Sequence, residues 1–257
     1  MYTMRIMTFN IRFENDRDGE NGWEYRRDFV TGVVERYAPA VVGTQEGLPP
    51  QLAYLRDSLP AYHLHTPARI IDETSQSPTL FVRVADFSIE EGDEFWLSLQ
   101  PRVHLSKDWD SAFPRMMSAA RLTARGDDRP FWIAVTHLDH VGTEARHEQA
   151  KMVAGWVQSQ REPVILMGDF NDGPGSAAHR VLTDSCTGLI DTWQVLGLSE
   201  GIENYTSHDF GGVPQKARMD WILVTPHFHV VNAFIIRDHF DGRYPSDHFP
   251  YMVDLEW

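Results

Sequence analysis

The sequence of 257 residues contains a single cysteine, Cys186, so no disulfide can form within the chain. Chains with so little cysteine are typical of reducing compartments. The sequence also lacks any run close to the roughly 18 consecutive apolar residues of a membrane-spanning helix. Its first residues lack the apolar stretch and small-residue cleavage site of a signal peptide. We therefore expect a cytoplasmic protein without a membrane span.

Basic residues are scarce, because 23 lysines and arginines stand against 37 aspartates and glutamates, which gives a net charge of −14. Proteins that bind duplex DNA gain most of their affinity by neutralising phosphates with basic side chains. The charge thus argues against stable binding to duplex DNA and against a general DNA nuclease. It leaves open a small phosphate ester or a short nucleic acid strand as the partner. The arginines that could form a local basic cluster are Arg26, Arg27, Arg115, Arg121 and Arg125.

Internal repeats, low-complexity tracts and Gly/Ser-rich linkers are absent as well. With nothing to divide it, the chain is interpreted as a single domain spanning residues 1–257, a length common for α/β domains. Its hydrophobic content of 42% is enough to build a substantial core.

The hydrophobic pattern predicts strands and helices that first alternate, followed by runs of strands. Apolar residues at helical spacing indicate the helices, and alternation of apolar and polar residues with period two indicates strands. The predicted helices are 25–37, 51–59 and 144–158, and the predicted strands are 5–12, 40–44, 79–84, 87–90, 118–125, 131–136, 163–167, 218–224, 229–236 and 250–256, with a short apolar segment at 95–97. Many strands with few helices favour a layered α/β architecture in which helices cover at least two sheets.

The most informative stretch is Gly-Asp-Phe-Asn-Asp-Gly-Pro-Gly-Ser at 168–176, directly after the apolar run 163–167. In an extended backbone, residues i and i+2 share a face, so Asp169 and Asn171 would point to the same place. Two such oxygen donors suit a divalent cation or a phosphate with its metal. The same residues also fit an Asx-rich turn that ends the strand, with Ser176 as the N-cap of a following helix.

Polar residues recur where other predicted strands end, and such positions often carry binding groups on a rigid scaffold. These residues are Asn10, Glu46, His137, Asp220, Asp247 and His248. Taken singly, each also has a structural explanation. Glu46 fits a surface turn, and His137 fits a hydrogen-bonded core histidine. Asp220 fits a buried carboxylate paired with Arg218.

As a set, these motifs resemble the endonuclease/exonuclease/phosphatase superfamily, whose fold is that of the DNase I-like proteins. The matching motifs are Thr-Phe-Asn-Ile at Asn10, Gln-Glu at Glu46, Thr-His-Leu at His137, Gly-Asp-Phe-Asn at 168–171, Met-Asp-Trp-Ile at Asp220 and Ser-Asp-His at 246–248. All six occur in the family's order and span residues 8–250. Residues 23–26, 94–98 and 109–115 are similar to compact bacterial members. Residues 68–81 and 116–119 depart from the family pattern where the substrate pocket is shaped, so the resemblance leaves the substrate open.

The resemblance implies a four-layer α/β sandwich, in which two stacked mixed β-sheets are flanked by helices. It also implies a Mg²⁺-dependent phosphoesterase that hydrolyses a phosphodiester or phosphomonoester by metal-assisted attack of water, with Mn²⁺ as a substitute metal. Hydrolysis of this kind needs a positioned water, neutralised phosphoryl charge and help for the leaving oxygen. The expected substrate is a phosphorylated small molecule or a short nucleic acid.

The resemblance also implies roles for individual residues. The expected metal site consists of Glu46, Asn10 and Asp247. The expected catalytic residues are His137, Asp169, Asn171, Asp220 and His248. Arg115, Asn171 and His137 are expected to bind the substrate. Asp220 would orient His248, and either His248 or Asp169 would act as the general base.

Two alternatives remain at the level of the sequence. One is a nuclease of the same superfamily, either a deadenylase-like 3′ exonuclease or an endonuclease of the apurinic (AP) type. The other is a catalytically inactive binding module on the same fold, although every catalytic-type position carries a competent residue. The oligomeric state does not follow from the sequence.

Overall fold

The chain folds into two stacked six-stranded β-sheets with helices on their outer faces. The structure is a computed structural model and describes residues 3–257. Its elements are β1 (Thr3–Asn10), α1 (Trp23–Tyr37), β2 (Val41–Gly47), α2 (Pro49–Ser58), β3 (Tyr62–His65), β4 (Ser77–Arg83), β5 (Phe87–Trp96), β6 (Met116–Ala124), β7 (Pro130–His137), α3 (Thr143–Ser159), β8 (Val164–Asp169), α4 (Ala177–Leu182), β9 (Ile190–Asp191), α5 (Thr192–Val195), β10 (Asp220–Val224), β11 (His229–Ile235) and β12 (Tyr251–Glu256).

Both sheets are mixed. The first has the strand order β11-β12-β1-β2-β4-β3, and the second has the order β5-β6-β7-β8-β10-β9. The pairs β1–β2 and β7–β8 are parallel, while the other neighbouring strands are antiparallel. The predicted four-layer sandwich of two stacked mixed sheets is confirmed.

Three apolar clusters separate the four layers. The central one lies between the sheets and joins residues such as Ile6 and Val253 to Ile133 and Ile165. A second packs α1 and α2 on the first sheet, and a third packs α3 and α4 on the second sheet. Each interface thus buries the face that a sheet or amphipathic helix must hide from water.

The alternation of side chains along β8 carries an acidic residue into the space between the sheets. Ile165 and Met167 face the central cluster, and Leu166 faces the helices. Because the side-chain period of a strand is two, Asp169 lies in the same row as Ile165 and Met167. It is 1% exposed. The strand therefore delivers a carboxylate to the end of the central core.

The same rule applies to three further strands. Ile133 and Val135 of β7 face the central cluster, and His137 follows in their row. On β1, Asn10 follows Ile6 in the row that faces the second sheet. Asp220 begins β10 and is the partner of Asp169 in the antiparallel β8–β10 register. The polar ends of four strands therefore meet at one end of the space between the sheets.

Most predicted elements are present with shifts of a few residues at their ends. The predicted strand 87–90 and the apolar segment 95–97 are parts of one strand, β5, which has a bulge between Ile89 and Glu91. Its exposed acidic residues broke the apolar pattern, as is common for an edge strand. The short elements β3, β9 and α5 were not predicted. Ser176 is the predicted N-cap, and its hydroxyl accepts a bond from the His179 amide.

In the described part of the chain, residues 3–257, no helix is both long and apolar enough to cross a membrane.

Replacing Gly168 with alanine is expected to lower the free energy of unfolding by about 1–3 kcal/mol, because the added methyl would overpack the sheet. Gly168 lies between Thr136 of β7 and Trp221 of β10, and a Cβ there would meet the Thr136 carbonyl oxygen. Its φ of 156° is also rare for residues with a side chain. Urea denaturation measures the change.

Gly155→Ala is the matched control, because Gly155 lies within α3 and a Cβ there would have no neighbour within 4 Å. This change should stabilise the protein by up to about 1 kcal/mol through helix propensity. Equal effects of the two substitutions would contradict the packing argument.

Candidate active site

A cavity of about 490 Å³ opens where the space between the sheets becomes polar. Seven of the nine predicted site residues line it, and Asn10 and Asp220 are buried directly behind them. The structure therefore brings together residues that are up to 238 positions apart in the chain.

Asn10 holds two carboxylates together. Its Nδ2 donates to Glu46 Oε1 at 3.1 Å and to Asp169 Oδ2 at 2.9 Å. Its Oδ1 accepts a bond from the Arg12 amide at 3.0 Å, which fixes the orientation of the side-chain amide. The oxygen that would bind a metal is thus turned away from the carboxylates. Asn10 therefore bridges Glu46 and Asp169, and its expected role as a metal ligand stays a prediction.

Glu46 reaches the cavity through an irregular backbone. The β2–β4 register shifts between Thr44 and Gly47, and Glu46 itself has a φ of 67° in the left-handed region. Bulges and strained residues of this kind re-aim side chains at functional sites. Glu46 Oε2 accepts a bond from the Phe13 amide at 3.1 Å. The Glu46 carboxylate is therefore held at the cavity wall by two donors.

Asp169 and Asn171 both line the cavity, although not by the predicted extended geometry. Asn171 follows the end of β8 and has a φ of 51°, a conformation that asparagine tolerates better than most residues. Its amide N–H donates to Asp169 Oδ1 at 2.8 Å, and its Nδ2 donates to the Leu138 carbonyl at 3.0 Å. Burial raises the pKa of Asp169 to about 6, although the His248 charge and the Asn10 and Asn171 bonds oppose this rise.

His248 and Asp220 form a buried pair, with Nδ1 of the histidine 2.9 Å from Asp220 Oδ2. Burial lowers the pKa of His248, but the negative charges of Asp220 and Asp169 outweigh it and raise the pKa to about 10. The imidazole is therefore protonated at neutral pH in the metal-free protein. Arg218 binds Asp191 and Glu200 instead, so the alternative pairing with Asp220 is wrong.

His137 is a buried imidazole at the cavity wall. Burial, followed by the charge of Arg115, holds the pKa of His137 well below its ordinary value. Arg115 Nη1 lies 3.0 Å from His137 Nδ1, and since a guanidinium only donates, Nδ1 accepts this bond. The other ring nitrogen, Nε2, lies 2.8 Å from Asn171 Nδ2 and 3.5 Å from Asp169 Oδ2. The imidazole is therefore fixed in place between Arg115 and Asn171.

Arg115 lies deeper than expected for a residue that binds substrate directly. It is 5% exposed, and its Nη2 lies 3.2 Å from His140 Nδ1. Its Nε lies 3.8 Å from Asp139 Oδ2. The guanidinium is thus held between two imidazoles at the edge of the cavity. Arg115 nevertheless lines the cavity, and its expected role in binding substrate stays a prediction.

Asp139, for which no role was predicted, organises two loops beside the cavity. Its side chain is fully buried and accepts bonds from Ser111 Oγ and from the amides of Ala112, Phe113, Val141 and Gly142 at 2.7–3.2 Å. Burial raises the pKa of this carboxyl, but the backbone amides outweigh it and lower the pKa. The sequence signal for a role of Asp139 at the site was its position two residues after His137.

Arg26 braces the site from behind, and the sequence had offered it only as part of a basic cluster. It is 2% exposed, and its guanidinium donates to the backbone carbonyls of Asn21, Ile11, Arg12 and Pro245. It thereby ties the end of β1 to residues 245–248. The sequence signal for this role was that Arg26 stands at helical spacing among the apolar residues of α1, where an arginine needs a partner.

Two further cations line the cavity without having been predicted. Arg12 binds Asp18 through Nε and Nη2, both at 2.9 Å, and its Nη1 lies 3.7 Å from Asp247 Oδ2. Lys216 contributes an exposed ammonium group. The cavity therefore carries positive charge at its rim and carboxylates at its floor.

The donors around the cavity fit a hard divalent cation. Glu46, Asp169 and Asp247 present carboxylates to it. Among the described residues, Asp220 Oδ1 is buried next to them and has no hydrogen-bond partner. A set dominated by carboxylate oxygens suits Mg²⁺ or Mn²⁺ better than a metal that prefers sulfur. The residues present thus fit the metal that the fold implies.

Comparison with solved structures finds the same fold in several proteins. An endonuclease/exonuclease/phosphatase from Bacteroides vulgatus is 30% identical, with a TM-score of 0.91 over 100% of this chain and 99% of that chain. A mannosyl-6-phosphatase from Bacteroides thetaiotaomicron is 28% identical, with a TM-score of 0.89 over 99% of this chain and 100% of that chain. TDP2 of D. rerio, complexed with a single-strand DNA product, is 19% identical with a TM-score of 0.80 over both full chains, and shows likeness of fold alone.

No individually curated protein matches the sequence at a significant level. The model of the Endonuclease/Exonuclease/phosphatase family, in contrast, matches residues 7–248, which include every site residue described above. The chain therefore belongs to the endonuclease/exonuclease/phosphatase family.

Proposed function

We propose that the protein is a Mg²⁺-dependent phosphoesterase that hydrolyses a small phosphate ester by attack of water. Members of its family are hydrolases that act on phosphate esters. The observation that carries the proposal is the pairing of a protonated His248 with Asp220 next to Asp169, whose pKa is raised towards neutrality. Two such groups with pKa values shifted apart are typical of acid–base catalysis.

Asp169 is the group best placed to orient and deprotonate the attacking water. Its Oδ1 accepts from the Asn171 amide and its Oδ2 from Asn10, so the carboxylate is fixed in direction. Its raised pKa makes it a stronger base than an exposed aspartate. Of the two bases that the sequence left open, this geometry favours Asp169, because both of its oxygens are held in direction at the cavity wall.

The phosphoryl group would lie against N–H donors. His137 lines the cavity wall through its imidazole, and the protonated His248 presents its second ring nitrogen, since Nδ1 is bonded to Asp220. Asn171 adds its side-chain amide at the same wall. A Mg²⁺ held by Glu46 and Asp247 would supply Lewis-acid neutralisation of phosphoryl charge. No covalent intermediate is needed.

The charge and the cavity favour a small ester over a polynucleotide. Arg26 and Arg115 are buried, and Arg121 is paired with Glu162, so three of the arginines offered for a basic cluster are occupied. The net charge of −14 repels a polyanion. The similar mannosyl-6-phosphatase supports a phosphomonoester as substrate.

Removing the metal should abolish the reaction. We expect hydrolysis of small phosphate esters with Mg²⁺, its loss in EDTA, and its recovery when Mg²⁺ or Mn²⁺ is added back. A colorimetric phosphate assay over phosphomonoesters, phosphodiesters and oligoribonucleotides measures this. A strong preference for oligoribonucleotides would favour the nuclease alternative, and no hydrolysis of any substrate would favour a binding module.

Glu46→Ala and His248→Ala should each lower kcat by about 100-fold or more, since one removes a metal ligand and the other a charged donor. Steady-state kinetics at saturating Mg²⁺ measures the loss. Glu162→Ala and His227→Ala are matched controls outside the cavity and should retain activity. Unchanged activity in the Glu46 and His248 variants would mean that the proposed site is wrong.

The stability of the metal-free protein should fall as the pH rises from about 6.5 to about 10. The folded protein keeps a proton on His248 that the unfolded chain releases above the ordinary histidine pKa of about 6.5. This contribution to stability is complete below pH 6.5 and is lost as the pH passes the folded pKa of about 10. Urea unfolding of wild type and His248→Asn across this range measures it. A constant difference between the two proteins would contradict the raised pKa.

A further inference from the structure

A second cavity adjoins the active site and is not used by the proposed chemistry. Its volume is about 260 Å³. Gln76, Phe113 and Arg115 line both cavities and so lie at the junction between them. The remaining wall includes the hydroxyl groups of Thr74 and Ser75. We call this space the side cavity.

Phe113 is an exposed aromatic residue that is nevertheless held in place. The residue is 50% exposed, and its ring stacks on His140 with centroids 5.6 Å apart and planes inclined by 26°. Its amide donates to the buried carboxylate of Asp139 at 3.2 Å, and its carbonyl accepts from Ser111 Oγ at 2.7 Å. A fixed, half-exposed apolar ring at the mouth of an active site is typical of a binding surface.

Apart from Arg115 at the junction with the active site, the polar groups of the side cavity are neutral. Thr74, Ser75 and Gln76 offer two hydroxyls and an amide. Such groups pair well with the hydroxyls of a ligand, and the face of an aromatic ring suits the C–H face of a sugar ring. A carboxylate-free wall also avoids repulsion of the phosphate that the same ligand would carry.

We infer that Phe113 and Gln76 form a subsite for the leaving group, and that this leaving group is the ring of a phosphorylated sugar. The inference rests on the proposed phosphoesterase function. A nucleobase is the competing occupant, but within residues 3–257 the side cavity offers no second aromatic ring opposite Phe113 on which a base could be sandwiched. Phe113 thus sets the specificity of the enzyme without taking part in the chemistry.

Two substrates separate this subsite from the chemistry. A hexose 6-phosphate and glycerol 3-phosphate both release a primary alcohol, but only the hexose has a ring. Wild type should show a higher kcat/KM for the hexose phosphate. Phe113→Ala should lower that value by about tenfold or more, mostly through KM, and leave glycerol 3-phosphate within about twofold.

Phe240→Ala is the matched control, because Phe240 is 37% exposed and stacks on Phe29 but does not line either cavity. It should change neither reaction. Phe113→Tyr should keep most of the preference, because it retains the ring.

Three results would overturn the subsite. These are equal losses on both substrates in Phe113→Ala, no preference for the hexose phosphate in wild type, or a preference for adenosine 5′-phosphate that Phe113→Ala removes. In each of these cases the protein would still hydrolyse phosphate esters, so the proposed phosphoesterase function would stand. If wild type hydrolysed none of these esters or any phosphodiester with Mg²⁺, the proposed function would fail as well.

Discussion

The site depends on the burial of ionisable groups at one end of the space between the two sheets. Four strands carry apolar rows into this space, and the same rows continue as Asn10, His137, Asp169 and Asp220. Burying such groups is expensive unless they pair with one another. Here Asn10 donates to Asp169, and the charged imidazole of His248 pairs with Asp220. The cost of burying these groups therefore shifts the pKa values of Asp169 and His248 and does not unfold the protein. The chemistry of the pocket is thus a consequence of where the hydrophobic core ends.

Two buried charged side chains, those of Arg26 and Asp139, hold the backbone around the pocket but take no direct part in this network. Arg26 binds backbone carbonyls, and Asp139 binds mainly backbone amides. Each replaces the water that would otherwise satisfy the polar groups of irregular loops. Arg26 fixes the end of β1 against residues 245–248, while Asp139 fixes the loops that carry Phe113 and His140. The loops of the pocket are therefore rigid although they lack regular structure.

The sequence was sufficient for the two-sheet architecture and for the residues that meet in the cavity, because period-two patterns and strand-end motifs are local signals. It was less informative about what each side chain does. Asn10 presents its nitrogen to the two carboxylates because the Arg12 amide donates to its oxygen, and the buried guanidinium of Arg115 donates hydrogen bonds to two histidines. These outcomes depend on partners that the fold brings together. Only the two ends of β5 were predicted, because β5 lies at the edge of its sheet and the exposed acidic residues in its middle interrupt the apolar pattern.

The pairing of β1 with β12 also has a consequence for the synthesis of the protein. The first and last described strands are neighbours in one sheet, and Ser246 Oγ donates to the Asn10 carbonyl at 2.6 Å. A ribosome makes β1 early and β12 late, whereas domains fold as units once their strands are present. The central strand β1 must wait for a partner more than 240 residues downstream. In a nascent chain, one edge of β1 therefore stays unpaired until the residues of β12 have been made.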